Sequence, residues 1–492
     1  MTLEESIAST GDFSDFPALI TAETEMNYGE YFAAIRQAAD WLRKQGVNPG
    51  DRVGMWGEAS AEFIVLLLGL IASGAVACPL STRLKATQIP RYLKTIGSRK
   101  LLYFNNVKNC EPPPGVAGVD AGQFRLATPS AEEPVSAWRQ LFLEDAHRPA
   151  TVIFTSGSAG HPKGALLTLA NHLYSAAGSN QNIPFEPGDR WLLSLPLYHV
   201  GGLSLLFRGL LGGGALVLPS AGQKLEDAIR RRKITHLSLV ATQLYRLLHA
   251  GFPGESTETL KAILLGGGPL PEKIIRLAAE RGLPLYCTYG CTEMASQVTT
   301  TGRAASTEEL LTSGKTLSYR ECRISPAGEI QVRGQTLFAG YLEDAVLRKP
   351  FRAEGWFGTG DLGYFDPSGN LVVTGRKDNM FISGGENIQP EEIERALLGL
   401  DSIEQAIVVS IADREFGARP AAFLRFSAGA QREEQEIRTK LESLLPGYKI
   451  PIKFLPWPQG SGGEGIKPSR RKLQAMAAEY FQNSGSKRRD GD

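Results

Sequence analysis

A run of 18 uncharged residues, Phe63 to Leu80, restricts the folds open to this 492-residue chain more than any other segment. Its length is at the threshold for a transmembrane helix. Two glycines and a serine interrupt the run and Pro79 closes it, so we predict a short buried helix followed by a strand over residues 75–78. The run therefore indicates a segment buried in a protein core and not one that spans a bilayer.

The segments on both sides of this run alternate between helical and strand-like patterns. A helical spacing of apolar residues over 31–45 and a strand at 52–56 precede it, and the alternation continues to about Ser318. Strands that alternate with helices predict an α/β fold with doubly wound sheets. Beyond Ser318, shorter strands separated by turns predict a β-rich subdomain.

A charged segment at Gly375 to Asn379 predicts a boundary between two domains. We expect a large domain at residues 1–376, a hinge at 377–379 and a small mobile α+β domain at 380–492. In the small domain the sequence predicts a capped helix from Gln389 and then a βαβ-like unit from Ala406.

The charge balance and the cysteines exclude several classes of protein. With 53 Lys and Arg against 52 Asp and Glu, the chain has no basic excess that would attract nucleic acid or an anionic membrane. Five scattered cysteines do not form a disulfide framework. The acidic N-terminus lacks the basic and apolar regions of a secretory signal, so we expect a cytoplasmic protein without a membrane span. The sequence leaves a homo-oligomer open.

The first candidate site is the segment Thr155 to Gly164 (TSGSAGHPKG), which follows a predicted buried strand. Glycine N–H groups, Ser and Thr hydroxyls and the Lys163 charge together predict a cradle for phosphate. The segment is not a Walker A loop, because Pro162 precedes the lysine and Gly164 replaces the residue that would hold magnesium. A surface turn is the alternative interpretation.

This segment resembles the phosphate-binding signature of the acyl-adenylate-forming superfamily, and further segments resemble other motifs of that superfamily in the same order. They are Tyr289 to Glu293 (YGCTE), Thr359 to Asp361 (TGD), Gly375 to Asp378 (GRKD) and Lys467 to Leu473 (KPSRRKL). The resemblance implies an AMP-forming acyl-CoA ligase that uses ATP, Mg²⁺ and coenzyme A. Such an enzyme first makes an acyl-AMP and then transfers the acyl group to the CoA thiol.

The resemblance also implies roles for individual residues, although each motif alone is equally typical of a helix cap, a tight turn or a solvated helix start. Lys467, Lys163, Thr292 and Glu293 are the candidate catalytic residues, and Glu293 is the candidate magnesium ligand. The expected nucleotide-binding residues are Thr155, Ser156, Gly157, Ser158, Lys163, Gly267, Gly268, Tyr289, Gly290, Thr292, Asp361, Arg376 and Lys467. Asp378 is the expected hinge, and Gly384, Gly385 and Lys449 are expected near CoA.

A second group of residues concerns the acid that would be activated. Leu195 to Leu203 (LPLYHVGGL) resembles the element in which a histidine, here His199, lies beside the acyl group; a buried core histidine is the alternative. Arg208 lies inside the apolar run Leu203 to Leu211, where a charge without an anionic partner would be costly. That partner is either an Asp or Glu of the protein or a substrate carboxylate.

Three stretches, at 199–208, 264–269 and 289–298, resemble the o-succinylbenzoate–CoA ligases of menaquinone biosynthesis. That resemblance implies a dicarboxylate substrate whose ring carboxylate contacts Arg208, Ser296 or Gln297. Three alternatives stay open: another aryl- or fatty-acyl-CoA ligase, an adenylation enzyme that serves a carrier protein, and a nucleotide-binding regulator without catalysis. The regulator has support from one residue inserted before Lys467, relative to the family pattern.

Overall fold

The computed structural model describes residues 11–106, 111–126, 134, 142, 145–156, 162–220, 222–252, 259–427, 433–458 and 470–486. The described helices are α1 (Tyr28–Lys44), α2 (Ala61–Ala72), α3 (Ile89–Ile96), α4 (Leu169–Asn182), α5 (Val200–Gly212), α6 (Leu225–Arg231), α7 (Ala241–His249), α8 (Glu272–Glu280), α9 (Thr307–Leu310), α10 (Pro390–Leu398), α11 (Glu434–Glu442) and α12 (Arg470–Ser486).

The strands alternate with these helices for most of the chain. They are β1 (Pro17–Ile20), β2 (Glu25–Asn27), β3 (Arg52–Trp56), β4 (Val76–Leu80), β5 (Lys100–Tyr103), β6 (Ala117–Asp120), β7 (Pro149–Ser156), β8 (Pro162–Thr168), β9 (Arg190–Leu192), β10 (Ala215–Val217), β11 (His236–Leu239), β12 (Ala262–Leu265), β13 (Leu285–Cys291), β14 (Ser296–Thr300), β15 (Lys315–Thr316), β16 (Arg320–Ile324), β17 (Glu329–Gly334), β18 (Gly340–Glu343), β19 (Val346–Arg348), β20 (Phe357–Phe365), β21 (Leu371–Arg376), β22 (Phe381–Ser383), β23 (Glu386–Ile388), β24 (Ile403–Asp413), β25 (Gly417–Phe426) and β26 (Phe454–Pro456).

Two large mixed sheets form the centre of the fold and confirm the predicted α/β class. One has nine strands in the order β15-β14-β13-β12-β11-β9-β10-β1-β2, and the other has eight in the order β19-β18-β8-β7-β4-β3-β5-β6. Their central strands pair in parallel, while antiparallel strands extend the edges. Parallel pairing in the centre requires helical crossovers, which the alternating sequence provides.

The long apolar run forms helix α2 and strand β4, both almost fully buried. Helix α2 packs closely against α1, because a Cβ on Gly69 would lie 2.7 Å from the Ala38 Cβ. The prediction that Pro79 closes the segment is wrong, since Pro79 lies within β4 opposite Met55. Proline is tolerated there because the recorded β4–β7 pairing is confined to Ala77 and Thr151, so the missing N–H falls beyond that ladder. Among the described helices, none is both long and apolar enough to cross a membrane.

The region after Ser318 contains the predicted β-rich unit. It is a four-stranded antiparallel sheet in the order β16-β17-β20-β21. Asp361 on β20 lies opposite Arg376 on β21, so this sheet holds two of the expected nucleotide-binding residues side by side. The β-rich unit is therefore part of the candidate site.

The C-terminal part has its own apolar clusters, built on β24, β25, β26 and helices α10 to α12. The prediction of a βαβ-like unit from Ala406 is wrong, because β24 and β25 form an antiparallel hairpin. Asp413 accepts hydrogen bonds from the N–H groups of Glu415 and Phe416, and Gly417 has a φ of +74°, which together turn the chain back. The βαβ unit comes later, since β25, α11 and the parallel strand β26 form it.

A buried histidine in the large domain should make stability depend on pH. His172 is 2% exposed, its Nε2 lies 2.8 Å from Thr151 Oγ1, and its ring stacks on Phe207. Burial lowers the pKa of His172 to about 3, whereas an unfolded histidine titrates near about 6.5. Between these values only the unfolded chain takes up the proton, so stability is lost as the pH falls.

We predict that His172→Gln reduces the loss of unfolding free energy between pH 7 and pH 5 by about 2 kcal/mol. Urea denaturation at the two pH values measures this difference. His249→Gln changes an exposed histidine and serves as the control. An equal pH dependence in the wild type and in His172→Gln would contradict the prediction.

Candidate active site

Three expected nucleotide-binding residues are joined by hydrogen bonds. The Tyr289 hydroxyl donates to Asp361 Oδ2 over 2.7 Å, and Arg376 Nη1 donates to Asp361 Oδ1 over 2.9 Å. Burial raises the pKa of the Asp361 carboxyl, against the opposite effects of Arg376 and the Tyr289 hydroxyl. Each carboxylate oxygen keeps a further lone pair, so this fixed group can accept hydrogen bonds from the two hydroxyls of a diol.

Lys163 and Glu293 both lie beside Tyr341, a residue that the sequence motifs did not indicate. The Tyr341 hydroxyl donates to Glu293 Oε1, and Lys163 Nζ lies 5.5 Å from the centre of the Tyr341 ring. Lys163 Nζ also forms an ion pair with Glu343 Oε1 at 2.9 Å. Strand β18 places Leu342 opposite Gly164 on β8, which brings Tyr341 and Glu343 beside Lys163.

Glu293 can serve as a metal ligand only in company with other oxygen donors. It follows Thr292 in a short helical turn over 292–294 after strand β13. Within the described ranges, no group of three or more His, Cys, Asp or Glu side chains could hold a metal. Magnesium commonly binds one or two carboxylates together with waters and phosphate oxygens, and Glu293 suits that mode.

The expected phosphate-binding segment joins two antiparallel strands. Thr155 and Ser156 end strand β7, and Thr155 pairs with Lys163 across the ladder to β8. Gly157 and Ser158, which connect the two strands, lie outside the described residues, as does Lys467. The two described strand ends therefore hold the hydroxyl of Thr155 and the charge of Lys163 at the same end of the hairpin.

The three described glycines that we expect near the nucleotide, Gly267, Gly268 and Gly290, differ in backbone conformation and in the space around them. Gly267 follows strand β12 with a φ of +84°, a conformation that favours glycine. A Cβ on Gly290 would lie 2.1 Å from the Ser296 carbonyl oxygen, so the two backbones touch there. A Cβ on Gly268 would have no heavy atom within 4 Å. Of these three glycines, Gly267 is thus favoured by its backbone conformation and Gly290 by a close backbone contact, while Gly268 is constrained by neither.

Arg208 is a buried cation that no described carboxylate neutralises. It lies in helix α5 with 1% exposure, and its Nη2 donates to Gln297 Oε1. Its Nε and Nη1 have no hydrogen-bond partner among the described residues. Burial lowers the pKa of Arg208 to about 9, so the guanidinium remains charged at neutral pH. Of the two partners considered from sequence, the protein carboxylate is not found in the described part of the chain.

Gln297 is oriented so that its oxygen faces the arginine. Its Nε2 donates to Thr300 Oγ1 over 2.7 Å, which directs Oε1 towards Arg208. The turn before it is strained, because Ala295 and Ser296 have φ values of +54° and +133°. Such strain at non-glycine residues persists only where the surroundings hold it, and it is common at functional sites.

A second buried arginine supports this turn. The Ser175 hydroxyl donates to the Ala295 carbonyl oxygen over 3.0 Å, and Arg320 Nη2 donates to Ser175 Oγ over 3.1 Å. Burial and, to a smaller extent, the charge of Arg208 lower the pKa of Arg320 to about 9. Two guanidinium groups therefore lie near one another in this part of the core.

His199 is exposed at the start of helix α5, so the alternative of a buried core histidine is wrong. Its ring packs edge-on against Tyr198 with the ring centres 4.7 Å apart. Partial desolvation and then the positive charge of Arg83 lower the pKa of the imidazole. The neutral form is therefore favoured at neutral pH.

The residues expected near CoA and the hinge lie in the C-terminal part. Gly384 and Gly385, with φ values of +56° and +87°, form the two-residue turn between β22 and β23. Lys449 Nζ donates to both carboxylate oxygens of Glu392 over 2.7 Å. Asp378 is exposed, and its Oδ2 lies 3.8 Å from Arg376 Nη2. It therefore lies next to the hydrogen-bonded residues Tyr289, Asp361 and Arg376.

A cluster of polar groups connects the hinge segment to helix α12. Arg470 Nη1 pairs with Glu394 Oε1 at 2.6 Å and its Nη2 with Glu391 Oε1 at 3.2 Å. Asn379 Nδ2 and Gln389 Nε2 donate to the two oxygens of the same Glu391 carboxylate. Glu391 therefore links the hinge to the first residue of α12.

Comparison with known proteins places this geometry in a family context. Residues 8–342 match the family of AMP-binding enzymes. The 2-succinylbenzoate–CoA ligase of Bacillus subtilis is 34% identical over 453 residues, 89% of this chain and 90% of that protein. The ligase of the same name from Salmonella typhimurium is 34% identical over 470 residues, 96% of this chain and 97% of that protein.

Solved structures agree over nearly the whole length. The o-succinylbenzoate CoA synthetase (MenE) of Bacillus subtilis with the acyl-adenylate intermediate OSB-AMP has a TM-score of 0.81 and 30% identity, with 96% of this chain and 97% of that chain covered. The same synthetase with ATP and a magnesium ion has a TM-score of 0.79 and 32% identity, with 92% and 95% covered. The fold is thus shared over both the large and the small part of the chain.

We predict that Gly290→Ala lowers the free energy of unfolding by about 3 kcal/mol, because a Cβ would collide with the Ser296 backbone and displace the strained turn. Gly268→Ala, where a Cβ meets open space, is the matched control and should change stability by less than about 0.5 kcal/mol. Urea denaturation of the two variants measures the difference. Similar losses at both positions would contradict the assigned close contact.

Proposed function

The chain belongs to the family of AMP-binding enzymes, and we propose that it is an AMP-forming ligase that joins o-succinylbenzoate to coenzyme A through an acyl-AMP intermediate. The observation that carries the choice of acid is Arg208, a buried cation with two nitrogens, Nε and Nη1, that lack a partner among the described residues. The names of the relatives and of the structural neighbours support the same acid.

o-Succinylbenzoate carries two carboxylates, and the site activates one of them and binds the other as an anchor. The succinyl carboxylate is the one that is activated, while the ring carboxylate accepts a hydrogen bond from a nitrogen of Arg208, Nε or Nη1, that has no partner among the described residues. A hydrogen bond between a guanidinium and a carboxylate is charge-assisted, so it is stronger than one between neutral groups. Gln297 contacts the Arg208 guanidinium, and Ser296 directly precedes it on the strained turn, so both belong to the proposed binding site for the ring carboxylate.

Adenylation requires ATP to be held with its α-phosphorus in line with the succinyl carboxylate. The Tyr289 ring stacks on the adenine, Asp361 and Arg376 bind the ribose hydroxyls, and Thr155, Ser156, Gly157, Ser158 and Lys163 bind the phosphates. Thr292 contacts the α-phosphate, and Glu293 would hold magnesium, which supplies positive charge beside the phosphates. Lys467 bridges the carboxylate and the α-phosphate as the carboxylate oxygen attacks and pyrophosphate leaves.

Lys163 must change partners when ATP binds. Its ion pair with Glu343 is partly exposed, with side-chain exposures of 38% and 41%, so it contributes little stability and is readily exchanged for phosphate. Gly267 and Gly268 let the backbone approach the nucleotide, and His199 lies beside the acyl group at the mouth of the pocket. The pocket excludes water from the acyl-AMP, which would otherwise hydrolyse.

Thioester formation needs a second arrangement of residues 380–492 about the hinge at Asp378. In this step the CoA thiolate attacks the acyl carbonyl carbon and AMP leaves. Rotation removes Lys467 and brings Gly384, Gly385 and Lys449 towards CoA. Polar side chains form contacts between residues 1–376 and residues 380–492. In one of them the Tyr245 hydroxyl lies 2.9 Å from Ser427 Oγ. Such polar contacts between domains can break and be replaced by others when the domains move.

This activity places the protein in menaquinone biosynthesis. A cytoplasmic location is part of the same proposal, and a homo-oligomer is compatible with it.

We predict that Arg208→Gln lowers kcat/KM for o-succinylbenzoate by about 100-fold, because the ring carboxylate loses its charged partner. The same variant should leave kcat/KM for 4-oxo-4-phenylbutyrate, the same acid without the ring carboxylate, unchanged within about threefold. CoA-dependent release of AMP measures both rates. Arg208→Lys keeps the charge and should retain part of the preference.

The analogue serves as an internal control for folding. A folded Arg208→Gln enzyme still activates 4-oxo-4-phenylbutyrate, so a loss confined to o-succinylbenzoate reports on the anchor alone. An unchanged ratio between the two acids would reject the proposed role of Arg208.

We predict that Lys467→Ala lowers acid-dependent ATP–pyrophosphate exchange by at least about 100-fold while CoA acylation from supplied acyl-AMP changes by less than about threefold. The reason is that the lysine stabilises charge only in the first step. Lys472→Ala, an exposed lysine on helix α12, is the matched control and should affect neither step. Equal loss of both steps in Lys467→Ala would contradict the division of roles.

A further inference from the structure

Trp191 supports the guanidinium that we propose as the carboxylate anchor. Its indole is 0% exposed at the centre of strand β9, and the Arg208 Cζ atom lies 5.0 Å from the centre of the ring. A cation within about 6 Å of an indole face is attracted by the ring quadrupole, most strongly where water is absent. Arg208 is therefore bound to an aromatic face and to the neutral oxygen of Gln297.

The indole is itself held in one orientation. Its Nε1–H donates to Ser238 Oγ over 3.1 Å, and the Phe185 ring packs edge-on against it at 5.2 Å. His236 stacks on the same indole with the ring centres 4.8 Å apart. Burial lowers the pKa of His236 to about 4, so this neighbour is neutral at neutral pH and adds no repulsion to Arg208.

This environment stabilises the cation without cancelling its charge. A protein carboxylate beside Arg208 would form a buried ion pair and compete with any anionic ligand. An aromatic face and an amide oxygen attract the guanidinium but carry no net charge, so its electrostatic attraction for a carboxylate remains. Arg320, the second buried guanidinium, makes an aromatic support more necessary because it repels Arg208.

We propose that Trp191 is a positioning residue that sets the preference for a dicarboxylate: its indole holds the Arg208 guanidinium in place while leaving its charge open to the ring carboxylate. This inference rests on the proposed function of Arg208 and deepens it. It predicts that removing the aromatic face lowers kcat/KM for o-succinylbenzoate and leaves kcat/KM for 4-oxo-4-phenylbutyrate, which lacks the ring carboxylate, nearly unchanged.

The test compares three variants with the two acids used for Arg208. Trp191→Leu removes the aromatic face and should lower kcat/KM for o-succinylbenzoate about tenfold, equal to about 1.4 kcal/mol, mainly by raising KM. It should change kcat/KM for 4-oxo-4-phenylbutyrate by less than about threefold. Trp191→Phe keeps an aromatic face and should lower kcat/KM for o-succinylbenzoate by only about threefold. Trp56→Leu makes the same change at a buried tryptophan on strand β3, in a different apolar cluster from Trp191. It is the matched control and should leave the ratio of kcat/KM between the two acids unchanged.

A double-mutant cycle separates this inference from the function on which it rests. The preference is the ratio of kcat/KM for o-succinylbenzoate to kcat/KM for 4-oxo-4-phenylbutyrate. Trp191→Phe, which is the milder change, should reduce this ratio about threefold in the wild-type background and not at all in the Arg208→Gln background. Equal loss of activity towards both acids in the Trp191 variants would overturn the positioning role. If Arg208→Gln itself leaves the preference unchanged, the proposed anchor fails, whatever Trp191 does.

Discussion

A positive charge buried among apolar side chains, with no described carboxylate beside it, is the constraint on which the acyl half of the site depends. Moving an ion into such surroundings costs several kcal/mol unless polar groups compensate. Arg208 obtains that compensation from Gln297 and Trp191, and neither removes its charge. The orientation of the Gln297 amide and the strained turn at Ala295 and Ser296 follow from the need to place those groups.

In the nucleotide-binding half of the site, strand pairing brings together motifs that are far apart in the sequence. Asp361 and Arg376 are neighbours because β20 and β21 pair, and Tyr289 reaches them from the end of a strand in the large nine-stranded sheet. Lys163 meets Tyr341 and Glu343 for the same reason, since β8 and β18 pair. Side chains at the ends and edges of sheets can thus form one site although they lie far apart in the chain.

The sequence predicted the fold class and the family of AMP-binding enzymes, because both have local signatures. Alternating patterns indicate an α/β fold, and motifs such as TGD and YGCTE are contiguous. Cross-strand partners have no such signature, which is why Tyr341, Glu343 and Trp191 were missed. The spacing of Tyr341 and Glu343, two residues apart on a short strand, does place both on one face and could have indicated a shared role.

Two sequence predictions failed for reasons of tertiary context. Pro79 lies within a central strand because its missing donor falls beyond the recorded ladder to β7. The C-terminal strands β24 and β25 pair as a hairpin because Asp413 and Gly417 close a tight turn that hydropathy alone does not reveal.

The contact of Glu391 with both Asn379 and Arg470 has a mechanical consequence. Lys467 precedes Arg470 by three residues, which span about 10 Å at most, so in the proposed rotation about the hinge Lys467 would move together with the part of the chain that Glu391 cross-links.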